Sequence, residues 1–194
     1  MIARLPVIPT IVVLIAVGVM IRLGLWQMDR MQEKEAMLAR YEQAAGSSES
    51  FKWPGSDPEA VAPLLFARSD LTCEKVEGLS SIAGKNAQGE SGLSITAQCR
   101  LAGGGEGLVV LGWSRSPVTP DWKGGNVAGI IAPGPRLVAD PPLAGLEANA
   151  QPDPRDIPNN HWSYAVQWFL FAGVALVIYA LAVRKRLAGG GEPS

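Results

Sequence analysis

Residues 6 to 26 read PVIPTIVVLIAVGVMIRLGLW, a stretch of 21 residues with a single charge, Arg22. A second stretch, YAVQWFLFAGVALVIYALAV at residues 164 to 183, has no charge in 20 residues. An α-helix rises about 1.5 Å per residue, so either stretch can cross a hydrocarbon layer about 30 Å thick. Together they predict a membrane protein with one transmembrane helix toward each end, residues 1–28 and 161–183.

The residues after the first stretch argue against a cleaved signal peptide. No small-residue cleavage site follows, and the chain continues as IRLGLWQMDRMQEKEAMLARYEQ, which is rich in good helix formers. We therefore expect an uncleaved anchor. Residues 29–50 should form a helical extension to about Gln43 and then a short polar linker.

The distribution of charge predicts the orientation. Residues 29–161 contain 12 Lys and Arg against 17 Asp and Glu, a formal charge of −5, whereas Arg184, Lys185 and Arg186 follow the second stretch and Arg4 precedes the first. Segments rich in Lys and Arg that flank a membrane helix usually stay on the cytoplasmic side. We expect both termini in the cytoplasm of a bacterium, including a basic tail at 184–194, and the central domain in the periplasm. In a mitochondrion that domain would face the intermembrane space.

The region between the anchors predicts a small antiparallel β-rich domain or partial barrel over residues 51–140, so that the fold class is membrane α+β. LSITAQCRL at 93–101 alternates apolar and polar residues, GGGEG turns the chain, and LVVLGW gives a second strand. Residues 68–85 read as one strand bulged near Gly78, and short strands are expected at 127–132 and 136–139. Seven prolines in residues 133–158 predict an extended tether to the membrane, with 141–160 outside the sheet.

The two cysteines, Cys73 and Cys99, lie symmetrically about Asn86 in the polar turn KNAQGESG. Residues equidistant from a hairpin turn face each other, and the compartment is oxidising if the orientation is right, so a disulfide is expected. Two alternatives are free buried thiols and a metal site that also includes His161. The second is disfavoured because His161 lies at the membrane.

The only histidine stands where the proline-rich segment meets the second helix, in NNHWSYAVQW. Pro158 ends what precedes, and Asn159 or Asn160 can cap the helix. At 3.6 residues per turn, one face carries His161, Tyr164, Ala165, Trp168, Ala172 and Ala175. The small residues suit close approach of another helix, in this chain or in a second copy. His161 is either a metal ligand or, with its aromatic neighbours, an ordinary residue of the membrane interface.

The first helix meets the same interface with RLGLWQMDR. Gly24 permits close helix contact, and Trp26 and Arg30, one turn apart, could pair through a cation–π contact. A charge within an apolar stretch either extends toward the interface or has a partner. Arg22 or Arg30 could therefore hold an anionic group, such as a carboxylate of a bound tetrapyrrole.

Two motifs resemble signatures of the Surfeit locus protein one family of cytochrome c oxidase assembly factors. LGLWQMDRMQEKEAML is similar to the L-G-x-W-Q-x-x-R…K pattern that follows that family's first membrane helix. NNHWSYAVQWFLFA is similar to N-x-H-x-x-Y-A-x-x-W-F at the start of its second. VVLGWSRSP looks like the V-L-V-N-R-G-W-V-P strand but lacks the Asn-Arg pair, so the middle domain is divergent.

The resemblance implies a role in maturing haem-copper oxidase, with haem a as the cofactor and His161 as the iron ligand. Tyr164 and Trp168 would then wall the macrocycle, and Arg22 or Arg30 would hold its propionates beside Trp26. A second axial ligand would come from Met20, Met28, Met31, water or a partner. The implied partners are the oxidase catalytic subunit, other haem-insertion factors and the lipid bilayer.

The alternative hypothesis is a cofactor-free scaffold that clamps oxidase subunits. Catalysis is not expected, since no Ser or Cys stands at a nucleophile-like turn near the single histidine. There is no phosphate loop and no basic patch for nucleic acid.

Overall fold

The computed structural model describes residues 6–189. The first five residues, Arg4 among them, and residues 190–194 of the predicted tail lie outside that range. The described chain divides into two compact units. One holds the two long helices up to Met37 and from Pro158 onward, and the other spans Leu38–Ile157.

Helix α1 (Val7–Ala45) and helix α3 (His161–Gly189) are long and apolar enough to cross a membrane, as predicted. Pro9 stands in the first turn of α1, where its missing N–H costs no hydrogen bond. The helix continues without a break through the charged residues after Trp26, because Gln, Glu, Lys, Ala and Leu all sustain it.

The first turn of α3 begins differently from the expectation. The backbone N–H of Tyr164 donates to the carbonyl of Asn160, 3.3 Å away. Asn160 thus occupies the cap position. Among the hydrogen bonds of residues 6–189, neither Asn159 nor Asn160 caps the helix through its side chain, so that part of the prediction was wrong.

The second unit is a six-stranded sheet that closes on itself. Its strands are β1 (Ser50–Lys52), β2 (Arg68–Lys85), β3 (Ser91–Leu101), β4 (Glu106–Ser114), β5 (Gly125–Ala132) and β6 (Arg136–Ala139). They follow the order β1-β2-β3-β4-β6-β5, and β5 pairs back onto β2. Strands β2 to β6 therefore form a closed five-stranded barrel, which leaves β1 as the added edge. A short helix α2 (Pro58–Val61) precedes the barrel.

The long strand β2 makes closure possible because it pairs with two neighbours. Its residues 68–73 pair with β5, and its residues 73–85 pair with β3. Register shifts at Cys73–Lys75 and at Val76–Gly78 bend it between the two. The predicted bulge near Gly78 is confirmed. Bulges of this kind increase local twist and curvature, which a small barrel requires.

The fold class is confirmed, with a mixed rather than wholly antiparallel sheet. β1 runs parallel to β2, and β6 runs parallel to β4. The barrel interior is apolar: its largest members include Ile95, Leu111, Ile131 and Leu137, each 1% exposed or less.

The proline-rich segment is not a free tether, which corrects the expectation. β6 lies inside the sheet between β4 and β5, because no proline falls within its four residues. The chain beyond it stays on the barrel. Glu147 and Trp113 exchange backbone hydrogen bonds, and the N–H of Ala150 donates to the carbonyl of Lys85 at 2.8 Å. Prolines lack a donor, but the residues between them still have theirs.

Cys73 and Cys99 are joined by a disulfide inside the barrel. They are not direct cross-strand partners. The bulges place Cys73 opposite Leu101 and Cys99 opposite Val76. Since both sulfur atoms are in this bond, neither is a thiolate for the alternative metal site.

The turn between β2 and β3 is held by side chains. Asn86 donates from Nδ2 to Glu90 Oε2 at 2.9 Å, and Arg115 donates to the same oxygen, also at 2.9 Å. These bonds, that of Asn86 being the larger cause, hold the pKa of Glu90 below its ordinary value.

We predict that the double variant Cys73→Ser, Cys99→Ser is less stable than the native chain. The bond closes a loop of 26 residues, whose entropy in the unfolded chain corresponds to about 3 to 4 kcal/mol. Denaturant unfolding of the full chain, followed by tryptophan fluorescence, measures the loss. Reductant should destabilise the native chain and leave the variant unchanged; equal stability of the two proteins would contradict the prediction.

Glu90→Gln should destabilise the barrel near neutral pH and have little effect in acid. A carboxylate with a lowered folded-state pKa adds stability above its unfolded pKa, and this is lost as the pH falls through the folded value. Midpoints of thermal unfolding for both proteins between about pH 7 and pH 3 test this. If the two midpoints differ by the same amount at every pH, the charge of Glu90 is not the cause of the difference.

Candidate functional site

The two long helices contact each other at three levels in the first unit. Thr10 hydrogen-bonds to Tyr179 through their hydroxyls. The ring of Phe169 lies over Gly24, where a Cβ would meet it at 2.7 Å. His161 and Gln27 are hydrogen-bonded, with 2.7 Å between Nδ1 and Oε1. Rising numbers on α1 meet falling numbers on α3, so the helices are antiparallel.

Each helix presents one seam to the other. On α1 the seam repeats every seven residues through Thr10, Val17 and Gly24, and Gln27 lies three residues beyond Gly24. On α3 it consists of the less exposed residues at three- and four-residue spacing, His161, Ala165, Trp168, Ala172, Ala175 and Tyr179. Ala165 and Val17 are buried at 0% and 6% exposure. This period of 3.5 is typical of helices that pack along their length.

The two polar contacts stand near opposite ends of the helix pair. Thr10 and Gln27 are 17 residues apart, and His161 and Tyr179 are 18 apart, which corresponds to about 25 to 27 Å of helix. That span is close to the thickness of a bilayer's hydrocarbon core, about 30 Å. Contacts separated by this distance can lie near the two surfaces of a bilayer, which is the position that the sequence predicts for His161.

Gln27 is the residue that the sequence reasoning missed. As a single uncharged polar side chain beside Trp26, it stands out in no composition or charge pattern, although it is the Q of the L-G-x-W-Q motif. The signal that could have found it is its position three residues after Gly24, which places it on the same face of α1.

His161 has one ring nitrogen engaged and one open. Nδ1 bonds to Gln27, and among residues 6–189 the Nε2 atom has no hydrogen-bond partner. The side chain is half-buried rather than enclosed. Neutral imidazole with one free nitrogen is a common metal ligand.

The structure separates the two predicted arginines. Successive helix residues are rotated by about 100°, so Arg22 points about 140° away from Gln27, whereas Arg30 lies about 60° from it and one turn along. Arg22 is exposed beside Trp26, with Leu23 between them. Arg22 therefore does not lie on the face of α1 that meets His161. The expectation that these two residues could form one site was wrong on this point.

Arg30 is the arginine on the side of His161. Its guanidinium is paired with Glu33, both side chains being more than half exposed. The expected cation–π contact between Arg30 and Trp26 is not among the contacts of the described residues, where the guanidinium turns to the carboxylate instead.

The aromatic residues divide between the seam and the outside. Trp168 lies on the seam and meets Phe171 edge to face, with 6.2 Å between ring centroids. Tyr164, predicted on the same face, is 50% exposed. Tyr164 lies three residues after His161 and is therefore rotated about 60° from it around the helix axis, to the side of the seam. The ring that covers Gly24 is that of Phe169.

The three methionines that are candidates for a second axial ligand are all half-buried. Met20, Met28 and Met31 lie on α1, and Met31 stands four residues after Gln27 on the same face.

The chain matches a known protein family. The profile described as SURF1 family matches residues 14–142 of the 194-residue chain, more than half of it. The matched range covers most of α1 and the barrel and ends before His161. No curated protein matches the chain.

We predict that Gly24→Leu loosens the helix pair and that Gly18→Leu does not. A side chain at residue 24 must displace the Phe169 ring, whereas at Gly18 nothing lies within 4 Å of an added Cβ. Spin labels at exposed Ile15 and Val177 report the helix separation by pulsed electron resonance in bilayers. The distance distribution should broaden in the first variant alone; a similar change in both would mean that bulk in α1, not the contact with Phe169, is responsible.

Proposed function

This chain belongs to the SURF1 family, a family associated with cytochrome c oxidase assembly, and on that premise we propose that it binds haem a through His161 and delivers or stabilises it for the oxidase catalytic subunit. It acts as a handling factor rather than an enzyme: it holds the cofactor and releases it, and makes or breaks no covalent bond.

The observation that carries this proposal is the state of the His161 ring. Gln27 engages Nδ1, the open Nε2 is the donor that haem iron takes from a protein imidazole, and the side chain is partly exposed. Metal-bound histidines usually donate their other ring N–H to an acceptor. The donor set therefore fits an iron ligand.

The rest of the proposed site comes from both helices. Arg30 supplies a cation within one turn of Gln27 and can exchange its exposed partner Glu33 for a propionate. Trp168 supplies an aromatic wall on the seam side, and Tyr164 and Trp26 supply exposed rings at the same interface. Arg22 lies on the opposite face and would bind only a group that reaches around α1. When bound, haem supplies the redox-active iron that the oxidase requires.

The chain itself offers one imidazole, so a second axial ligand has to come from elsewhere. Met28 and Met31 are each within four residues of Gln27. Water or a histidine of the oxidase subunit are the other candidates. A second axial ligand that is weak, or that comes from a partner protein, suits a protein that has to release haem.

We propose the inner membrane of a bacterium as the location, with both termini in the cytoplasm and the barrel in the periplasm. Three features support this orientation: the net acidic charge between the helices, the basic residues Arg184–Arg186 after α3, and the disulfide, which is typical of oxidising compartments. The proposed partners are the oxidase catalytic subunit, other haem-insertion factors and the lipids around the helices. A homo-oligomer would use the outer faces of the helices, because the seams face each other.

His161→Ala should abolish the haem a band in the optical spectrum of protein purified from cells that synthesise haem a. Ser163→Ala, an exposed neighbour in the same helical turn, is the matched control and should keep the band. If the band survives in His161→Ala at the native level, His161 is not the ligand. If native protein has no band but co-purifies with oxidase subunits whether or not haem a is made, the cofactor-free scaffold is the better account.

A further inference from the structure

We propose that Gln27 is the positioning residue of this site: it accepts the Nδ1 proton of His161 and so presents Nε2 as the nitrogen that binds iron. The role of the iron rests on the function proposed above. The tautomer and orientation of the ring, however, belong to the protein without haem and can be measured there.

The atoms in contact determine which nitrogen has the proton. The Oε1 atom of Gln27 is a carbonyl oxygen and can only accept, so at 2.7 Å the Nδ1 atom of His161 has to donate. A neutral imidazole has a single N–H. The proton on Nδ1 therefore leaves the lone pair on Nε2, the atom with no hydrogen-bond partner in the described part of the chain.

The surroundings make this bond matter more than it would in water. Both side chains are partly buried between the two helices, so water competes for this bond less than it would at a fully exposed site. Gly24, three residues before Gln27, lies against Phe169. The ring of Phe169 thus contacts α1 within one turn of the bond.

A neutral acceptor also sets the strength of the iron bond. A carboxylate in this place would draw the Nδ1 proton more strongly and make Nε2 a stronger donor, as the acidic partners of many metal-bound histidines do. An amide orients the ring with less of that effect. Gln27 therefore supports a bond that is well directed but moderate, which suits a factor that has to release haem.

The first test measures the ring in haem-free protein. Full-length chain with ¹⁵N-labelled histidine, in nanodiscs at alkaline pH, gives the tautomer of its single imidazole by NMR. The native protein and Gln27→Glu should be protonated at Nδ1, and Gln27→Leu should show a mixture. Gln32→Leu, a matched change at an exposed glutamine of the same helix, should match the native protein. Protonation at Nε2 in the native protein, or an unchanged ring in Gln27→Leu, would overturn the proposal.

The second test measures haem a binding by the same four proteins and by His161→Ala. Gln27→Leu should lower the affinity roughly 10- to 100-fold, the range for loss of a partner behind a metal ligand. Gln27→Glu should bind at least as tightly as the native protein, with a lower iron midpoint potential. Native affinity and potential in Gln27→Leu would overturn the positioning role, even if His161→Ala binds nothing.

Failure of the proposed function gives a different result. If His161→Ala binds haem as the native protein does, or no protein in the set binds it, the haem function fails. The NMR result then still decides whether Gln27 sets the tautomer.

Discussion

A polar group inside an apolar helix pair has to find its partner within the protein, and this constraint organises the membrane unit. Only two polar contacts join the two helices among the described hydrogen bonds: Thr10 with Tyr179, and Gln27 with His161. They lie about 25 Å apart along the helices, so that the residues between them can be almost wholly apolar. The same two contacts define the antiparallel register of α1 and α3.

The packing between these contacts depends on one small residue. Phe169 fits over Gly24 because no Cβ is present there, and this contact lies within one turn of Gln27. A positioned imidazole therefore requires more than its hydrogen-bond partner. It also depends on the glycine that leaves room for Phe169 nearby.

In the second unit the main constraint is that a small sheet with a modest core has to close into a barrel. A single long strand, β2, serves two neighbours, and its bulges provide the bend. The disulfide between Cys73 and Cys99 crosses the bulged region, where the regular ladder of hydrogen bonds is interrupted. The proline-rich segment then packs along the outside and covers the barrel instead of linking it loosely to α3.

The sequence by itself determined the class of the protein and most of its elements. Two long apolar stretches, the first with Arg22 as its one charge, are typical of membrane-spanning helices, and alternation of apolar and polar residues is typical of a strand. Both signals are local, so they need no knowledge of the fold. The strand at 93–101 was readable for this reason, because its residues alternate over the whole segment. Tertiary structure decided which side of each helix faces the other. It placed Arg22 away from the face of α1 that bears Gln27, left Tyr164 exposed and paired Gln27 with His161. A rotation of about 100° per residue separates neighbours in sequence, and only packing selects the face. It also decided that β6 is a central strand although prolines stand on both sides of it. The sheet needs only the backbone N–H groups of the residues between those prolines.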